Sequence, residues 1–76
     1  MAYEKTRVFR IAGRQWRARK GLTINPRRKV YNDRGEWVRA WYAQPCDKSE
    51  EWRPVGRTLG DLTYWIQREE SRHANP

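Results

Sequence analysis

Arg7-Val8-Phe9-Arg10-Ile11-Ala12-Gly13-Arg14-Gln15-Trp16-Arg17-Ala18-Arg19 alternates with period two on both sides of Ala12-Gly13. A glycine supplies the positive φ that a two-residue hairpin turn requires, although Ala-Gly is a weaker turn signal than Asn-Gly. With the turn placed there, Ile11 faces Arg14, Phe9 faces Trp16 and Arg7 faces Ala18. One side of the ribbon then presents Phe9, Ile11, Trp16 and Ala18. The other presents Val8, Arg10, Gln15, Arg17 and Arg19. Successive side chains on a strand point to opposite faces, so this pattern separates an apolar face from an arginine face.

Working outward, residues 20–29 read as a connection. Asn25-Pro26 disfavours a regular element, and Arg27-Arg28-Lys29 forms a short basic run beside it. A second hairpin is expected from Val30-Tyr31, through the turn Asn32-Asp33-Arg34-Gly35, to a strand over 37–43 that Gln44-Pro45 stops. The acidic stretch 46–51 reads as a solvated loop. Trp52-Arg53-Pro54-Val55 suits a short strand, and Pro54 assigns it to an edge or a strand end. The last element is a helix. Thr58 caps it with Asp61 three residues on, and Leu59, Leu62, Trp65 and Ile66 form one apolar stripe, with Tyr64 on the other side. Gly60 weakens the first turn by roughly 1 kcal/mol relative to Ala, which points to a close backbone approach there. The expected fold is α+β: a three- or four-stranded antiparallel sheet made of two hairpins, packed against one C-terminal helix. A single domain over 1–76 with frayed ends at 1–6 and 72–76 is expected.

At 76 residues only about 60% of the unfolded chain's surface can be buried, so the core must be small. Cys46 is the single cysteine, which excludes an internal disulfide and implies a reduced thiol; neighbouring Asp47 disfavours a thiolate. His73 has no metal-ligand spacing around it, and the chain has no glycine-rich phosphate loop. No enzyme and no cofactor are expected. The five Trp and four Tyr are the means of stabilisation, each burying on the order of 150–250 Å². No apolar run approaches the roughly 18 residues of a membrane span, and the N-terminus lacks a signal-peptide stretch, so a cytoplasmic protein is expected.

Charge is divided unevenly. Residues 1–30 hold ten basic residues and one acid, and residues 31–76 hold seven and eight. The halves therefore carry +9 and −1. Thirteen of the seventeen basic residues are Arg, whose planar fork grips phosphate with two bonds and stacks on bases. A localised polyanion contact follows, with Arg10, Arg14, Arg17, Arg19 and the run Arg27, Arg28, Lys29 as phosphate ligands. The strand over 37–43 carries large groups on both sides, with Val38, Ala40 and Tyr42 assigned to the helix side and Trp37, Arg39 and Trp41 to the other. The second side is either a stacking platform for bases or a partner's side chains, or a buried face covered by a loop or the 20–29 connection.

The stretch 35–69, with Gly35-Glu36-Trp37-Val38-Arg39-Ala40-Trp41-Tyr42 and later Glu51-Trp52-Arg53-Pro54-Val55-Gly56-Arg57-Thr58-Leu59, resembles the small DNA-binding domain at the N-terminus of phage-type tyrosine integrases and their plant AP2 relatives. The resemblance implies a sheet face lying in the major groove, with Arg39 and Arg53 implicated by position. Pro54 and the acidic 47–51 loop depart from that pattern. In its compact Trp- and Arg-rich style the chain is similar to small orphan proteins of actinobacterial phages. That likeness implies the other function class, a module that binds or inhibits a host protein. DNA or RNA is the expected partner and a host protein the alternative; these features set no oligomeric state.

Overall fold

The computed structural model describes residues 5–48 and 50–74. Four antiparallel strands form one sheet in the order β1 (Arg7–Ile11), β2 (Arg14–Gly21), β3 (Ala40–Pro45) and β4 (Arg53–Gly56), and helix α1 (Leu59–Ala74) packs across one face. The α+β fold expected from the sequence is the one observed. In the first hairpin Arg7 pairs with Ala18, Phe9 with Trp16 and Ile11 with Arg14, the register that the alternation implies. Ala12 and Gly13 both take positive φ, 54° and 81°. This suits the right-handed twist of a tight hairpin.

The second half departs from two simple hairpins. Residues 30–38 close only an isolated bridge, Tyr31 with Trp37. Residues 37–39 are not in the sheet. β3 instead begins at Ala40 and runs through Gln44 to Pro45, and β2 extends to Gly21 to pair with it. Pro45 is tolerated for a geometric reason. The Cys46 N–H donates to the Gln15 carbonyl of β2, so the preceding nitrogen points the other way, toward β4. Pairing with β4 has already ended at Ala43–Arg53, and no ladder bond is lost. Pro54 lies on the edge strand, as expected, beside a register shift between Trp41 and Tyr42.

The core lies between the sheet and the helix: Ile11, Trp16, Ala18, Trp41, Ala43, Val55, Leu62 and Ile66, flanked by Phe9 and Trp65. Ala18 and Ala43 are cross-strand partners at the sheet's centre. Around them the rings meet edge to face, Trp16 with Trp65 at 5.9 Å and Phe9 with Trp41 at 6.4 Å, an arrangement favoured by the aromatic quadrupole. Trp41 and Ala43 therefore point toward the helix, and Ala40, Tyr42 and Gln44 point away. This reverses the expected faces of the strand. The error comes from parity: large residues at both odd and even positions leave local alternation undecided.

The far side of β3 is buried as well. Tyr42 is 1% exposed, and its hydroxyl donates to the Arg28 carbonyl. Asn25 Nδ2 donates to the Trp52 carbonyl at 2.7 Å and to Glu51 Oε1 at 3.0 Å. Gln44 Nε2 donates to the Glu50 carbonyl at 2.7 Å. The connection over 22–39 and the loop leading to β4 thus cover the second face, the alternative in which the strand is buried on both sides.

The helix begins in a reciprocal cap: Asp61 N–H donates to Thr58 Oγ1 at 3.1 Å, and Asp61 Oδ2 accepts from the Thr58 and Arg57 N–H groups. Leu62 and Ile66 are fully buried, but Leu59, assigned to the same stripe, is exposed in the first turn. The tight approach falls at Gly56 rather than Gly60. Gly56 has φ 138°, and a Cβ there would overlap Asp61, whereas at Gly60 the nearest atom is Thr58 Oγ1 at 3.7 Å. The helix runs to Ala74, and no Gly or Pro interrupts the chain between Asp61 and Asn75. The expected N-terminal fraying falls largely on residues 1–4, which lie outside the described residues.

Candidate functional site

The residues marked as phosphate ligands separate into three groups. Arg10, Arg17 and Arg19 project from β1 and β2 on the face away from the helix, as the alternation requires. Arg10 is exposed and the other two are half-buried. Two are held in place: Arg17 Nη2 donates to the Cys46 carbonyl at 2.9 Å, and Arg19 Nε donates to Thr6 Oγ1 at 2.8 Å with its guanidinium 5.8 Å from the Trp52 ring centroid. Arg17 Nε is buried and lacks a hydrogen-bond partner among the described residues. None of the three forms an ion pair with a carboxylate among the described residues.

Arg27, Arg28 and Lys29 form the second group, all exposed on the connection. They share a side of the sheet with the first group: Tyr42, whose hydroxyl donates to the Arg28 carbonyl, is the Cα partner of Arg19. Arg28 Nε lies 3.7 Å from Glu51 Oε1. The Glu51 carboxyl is held below the usual carboxylate range, first by the hydrogen bond from Asn25 and then by the positive charge of Arg28 and Arg27.

Arg14 belongs to neither group. Expected among the phosphate ligands, it sits instead on the helix side by its strand position, because it pairs with core residue Ile11, and there it bonds Asp47 at 2.9 Å and Glu70 at 3.3 Å. Glu70 Oε1 also accepts from Trp16 Nε1 at 2.7 Å. The Asp47 carboxyl is lowered and the Arg14 guanidinium raised relative to their ordinary values, in each case first through the bond between them. Arg14 thus ties the hairpin to the end of the helix. Arg53, implicated through the integrase-like pattern, likewise lies 3.5 Å from Glu69 on that side.

The aromatic candidates divide too. Trp41, one of the expected nucleic-acid contacts, is 7% exposed in the core; of the two alternatives for its side of the strand, burial is the one observed, though under the helix rather than under a loop. Trp37 is 36% exposed on the small bridge hairpin, with Lys29 Nζ 4.7 Å from its ring centroid. Arg39 is exposed just before β3. Sequence reasoning did not single out Tyr31, which is the cross-strand partner of Trp37 and 56% exposed. The expected turn over 32–35 would set Tyr31 opposite Glu36; the connection is one residue longer, 32–36, and brings Tyr31 to Trp37 instead.

On the side of the sheet away from the helix, β3 is covered by the connection and the loop before β4, whereas Arg10 on β1 is exposed. Elsewhere the surface holds shallow depressions, such as one of about 310 Å³ along the helix lined by Val55, Asp61, Tyr64, Trp65 and Arg68. Among the described residues no group of three or more His, Cys, Asp or Glu side chains is placed to hold a metal ion, and no helix is long and apolar enough to cross a membrane. The chain matches no family model, no curated protein and no solved structure.

Proposed function

We propose that this chain is a non-enzymatic nucleic-acid-binding domain that takes DNA. Arg10, Arg17 and Arg19 on the open face of β1 and β2, with Arg27, Arg28 and Lys29 on the connection beside them, contact the phosphates. One observation carries the reading: the helix-side arginines are matched by carboxylates and the open-face arginines are not. The carboxylates of Asp47, Glu69 and Glu70 engage Arg14, Arg53 and Arg72, and Asp61 caps the helix. The three arginines of the open face have no carboxylate partner among the described residues. Uncompensated arginines on one ribbon repel one another, and a polyanion relieves that cost while releasing counterions.

Titration of a fluorescent duplex at several salt concentrations tests this. Four to six phosphate contacts predict a log–log salt slope of roughly −4 to −5. Charge reversal of Arg17 and Arg19 lowers affinity without changing the far-UV circular dichroism, and reversal of Glu50 leaves binding nearly unchanged. No binding to duplex or single strand at ~50 mM salt, where phosphate contacts are strongest, overturns the reading.

A second reading, a phage-encoded module that binds a host protein, draws on a different detail. The same side carries the Arg28–Glu51 pair and the Arg19–Trp52 contact, a mixed aromatic and charged surface of the kind that supplies protein hot spots. It is the reading that remains if nucleic acid fails to bind.

A further inference from the structure

Building on the nucleic-acid reading, we infer that the Tyr31–Trp37 bridge is a stacking platform for unpaired bases, so that the preferred ligand is single-stranded. The geometry begins in the backbone. Asn32 N–H donates to the Glu36 carbonyl at 2.9 Å, and Val38 N–H donates to the Val30 carbonyl at 3.0 Å. These bonds flank residues 31 and 37, which makes them a pair with no hydrogen bonds of their own. Such pairs bring side chains closest, on one face, with Cα atoms about 4.5 Å apart.

Two large aromatics are therefore neighbours on a turn that is itself well fixed. Asn32 Oδ1 accepts from the Arg34 and Glu36 N–H groups at 2.9 Å each, and Gly35 closes the turn with φ 79°. Cross-strand aromatic pairs stabilise hairpins by contact between the rings. Here the rings do not pack on each other: among the described residues the ring contacts are Phe9–Trp41 and Trp16–Trp65. Tyr31 and Trp37 stay 56% and 36% exposed, and neither belongs to the core.

The surroundings carry an excess of positive charge. Lys29 Nζ lies 4.7 Å from the Trp37 centroid, and exposed Arg27, Arg28, Arg34 and Arg39 lie within a few residues along the chain, against two acids, Asp33 and Glu36, in the turn. Lys29 lies over one face of the Trp37 ring; a nucleotide that stacks a base on that face draws the ammonium to its phosphate, exchanging one cation contact for another. A duplex hides its base faces and offers this platform only phosphate. Unpaired bases therefore gain something at this site that paired bases do not.

The experiment uses the full chain and fluorescence anisotropy with a labelled oligodeoxythymidylate of about 15 nucleotides, a length within known single-strand site sizes, and with the same strand annealed to oligodeoxyadenylate. Trp37→Ala and Tyr31→Ala should each weaken single-strand binding by about five- to a hundredfold, the range for losing one stacked base. Duplex binding should stay within about twofold, and Trp37→Phe should retain most of the single-strand affinity. Arg17→Glu with Arg19→Glu should weaken both ligands. Unchanged single-strand affinity in both alanine variants, with loss in the arginine variant, overturns the platform and leaves the phosphate-binding reading standing. Equal losses on both ligands also overturn it. Wild-type protein that binds neither ligand overturns both proposals. Circular dichroism of each variant shows that a loss of binding is not a loss of fold.

Discussion

β3 is buried on two sides by two kinds of cover. Toward the helix, Trp41 and Ala43 meet Ile11, Val55, Leu62 and Ile66. This contact is almost wholly apolar, and its stability scales with area removed from water. Away from the helix, Ala40, Tyr42 and Gln44 lie as deep, but the segment above them has few apolar groups and is fixed by directed bonds. Tyr42 holds Arg28, Gln44 holds Glu50 and Asn25 holds Trp52. A basic connection can thus be held against a sheet by hydrogen bonds from buried polar side chains, while its charged side chains stay in water. The helix side supplies the apolar core, and the connection side holds Arg27, Arg28 and Lys29 exposed.

The largest effects should come from the apolar side. Trp41→Ala, Leu62→Ala and Ile66→Ala should each cost about 2–5 kcal/mol through lost transfer energy and residual cavity. In a domain this small such losses approach total stability, of the order of 5 kcal/mol. Thermal melts followed by circular dichroism measure it. Trp37→Ala is the matched control on an exposed aromatic and should shift the melt little. A cooperative, near-native melt for the Leu62→Ala/Ile66→Ala double variant would break the assignment of the apolar side.

Two glycines sharpen the seam between helix and sheet and should respond with opposite signs. Gly56→Ala forces an L residue to φ 138° and places a methyl group on Asp61, so a loss of about 1–3 kcal/mol is expected. Gly60→Ala makes an ordinary contact with Thr58 Oγ1 at 3.7 Å in a helical turn and should stabilise by up to about 1 kcal/mol. Urea denaturation of both variants reads the difference. The reverse ordering would move the close approach back to the helix's own first turn.

These glycines also show what was legible in the chain. Alternation about Ala12-Gly13 fixed the first hairpin, its register and its arginine face, because a two-residue turn leaves no slack between strands. Thr58 and Asp61 announced the helix start because capping is local. The faces of β3 were not legible, since Trp41 and Tyr42 are both large and only pairing with the distant β2, Ala18 against Ala43, decides which turns inward. The close approach was attributed to Gly60 because it interrupts a helical pattern. Gly56 had no such context until β4 and the helix were placed together. Of the candidate site, Arg10, Arg17 and Arg19 followed from period two. The coverage of Tyr42 by 25–28, which brings the second basic group to the same side, depends on long-range bonds with no local signature.

The polar side should be the more modest contributor and the more directional. Tyr42→Phe leaves the ring and removes one donor, stranding the Arg28 carbonyl; about 1–2 kcal/mol is expected, the usual cost of a hydrogen bond whose partner stays behind. Burial raises the Tyr42 hydroxyl's pKa, so it remains a donor through the neutral range. Asn25→Ala removes the bonds to Glu51 and Trp52 and should cost about 1–3 kcal/mol. Hydrogen exchange should show the loss first at the Arg27 and Arg28 amides, which bond to Asn25, with the helix amides less affected. If Tyr42→Phe instead destabilises as much as Trp41→Ala, the connection is part of the core and the contrast between the two sides fails.

The smallest effect separates the sides by pH. Glu51 belongs to the connection side and Asp61 to the helix side, and both carboxyls are held below their ordinary values, Glu51 first by the Asn25 amide and Asp61 first by the Arg57 backbone N–H. A carboxyl depressed in the folded state binds fewer protons there than in the unfolded chain between the two pKa values. Its stabilisation is therefore complete above the unfolded value, about 4.3 for Glu, and is lost as pH falls through the folded one. Urea midpoints should stay level from neutral pH to about 5 and decline below about 4. Both groups are solvent-exposed, so the decline from each is shallow. Amide shifts of Arg27 and Arg28 should titrate with Glu51, and those of Arg57 and Thr58 with Asp61. Glu51→Gln should abolish the first titration and spare the second. A shared titration lost at all four amides in that variant would mean that the polar cover and the helix cap open together, as one cooperative unit rather than two.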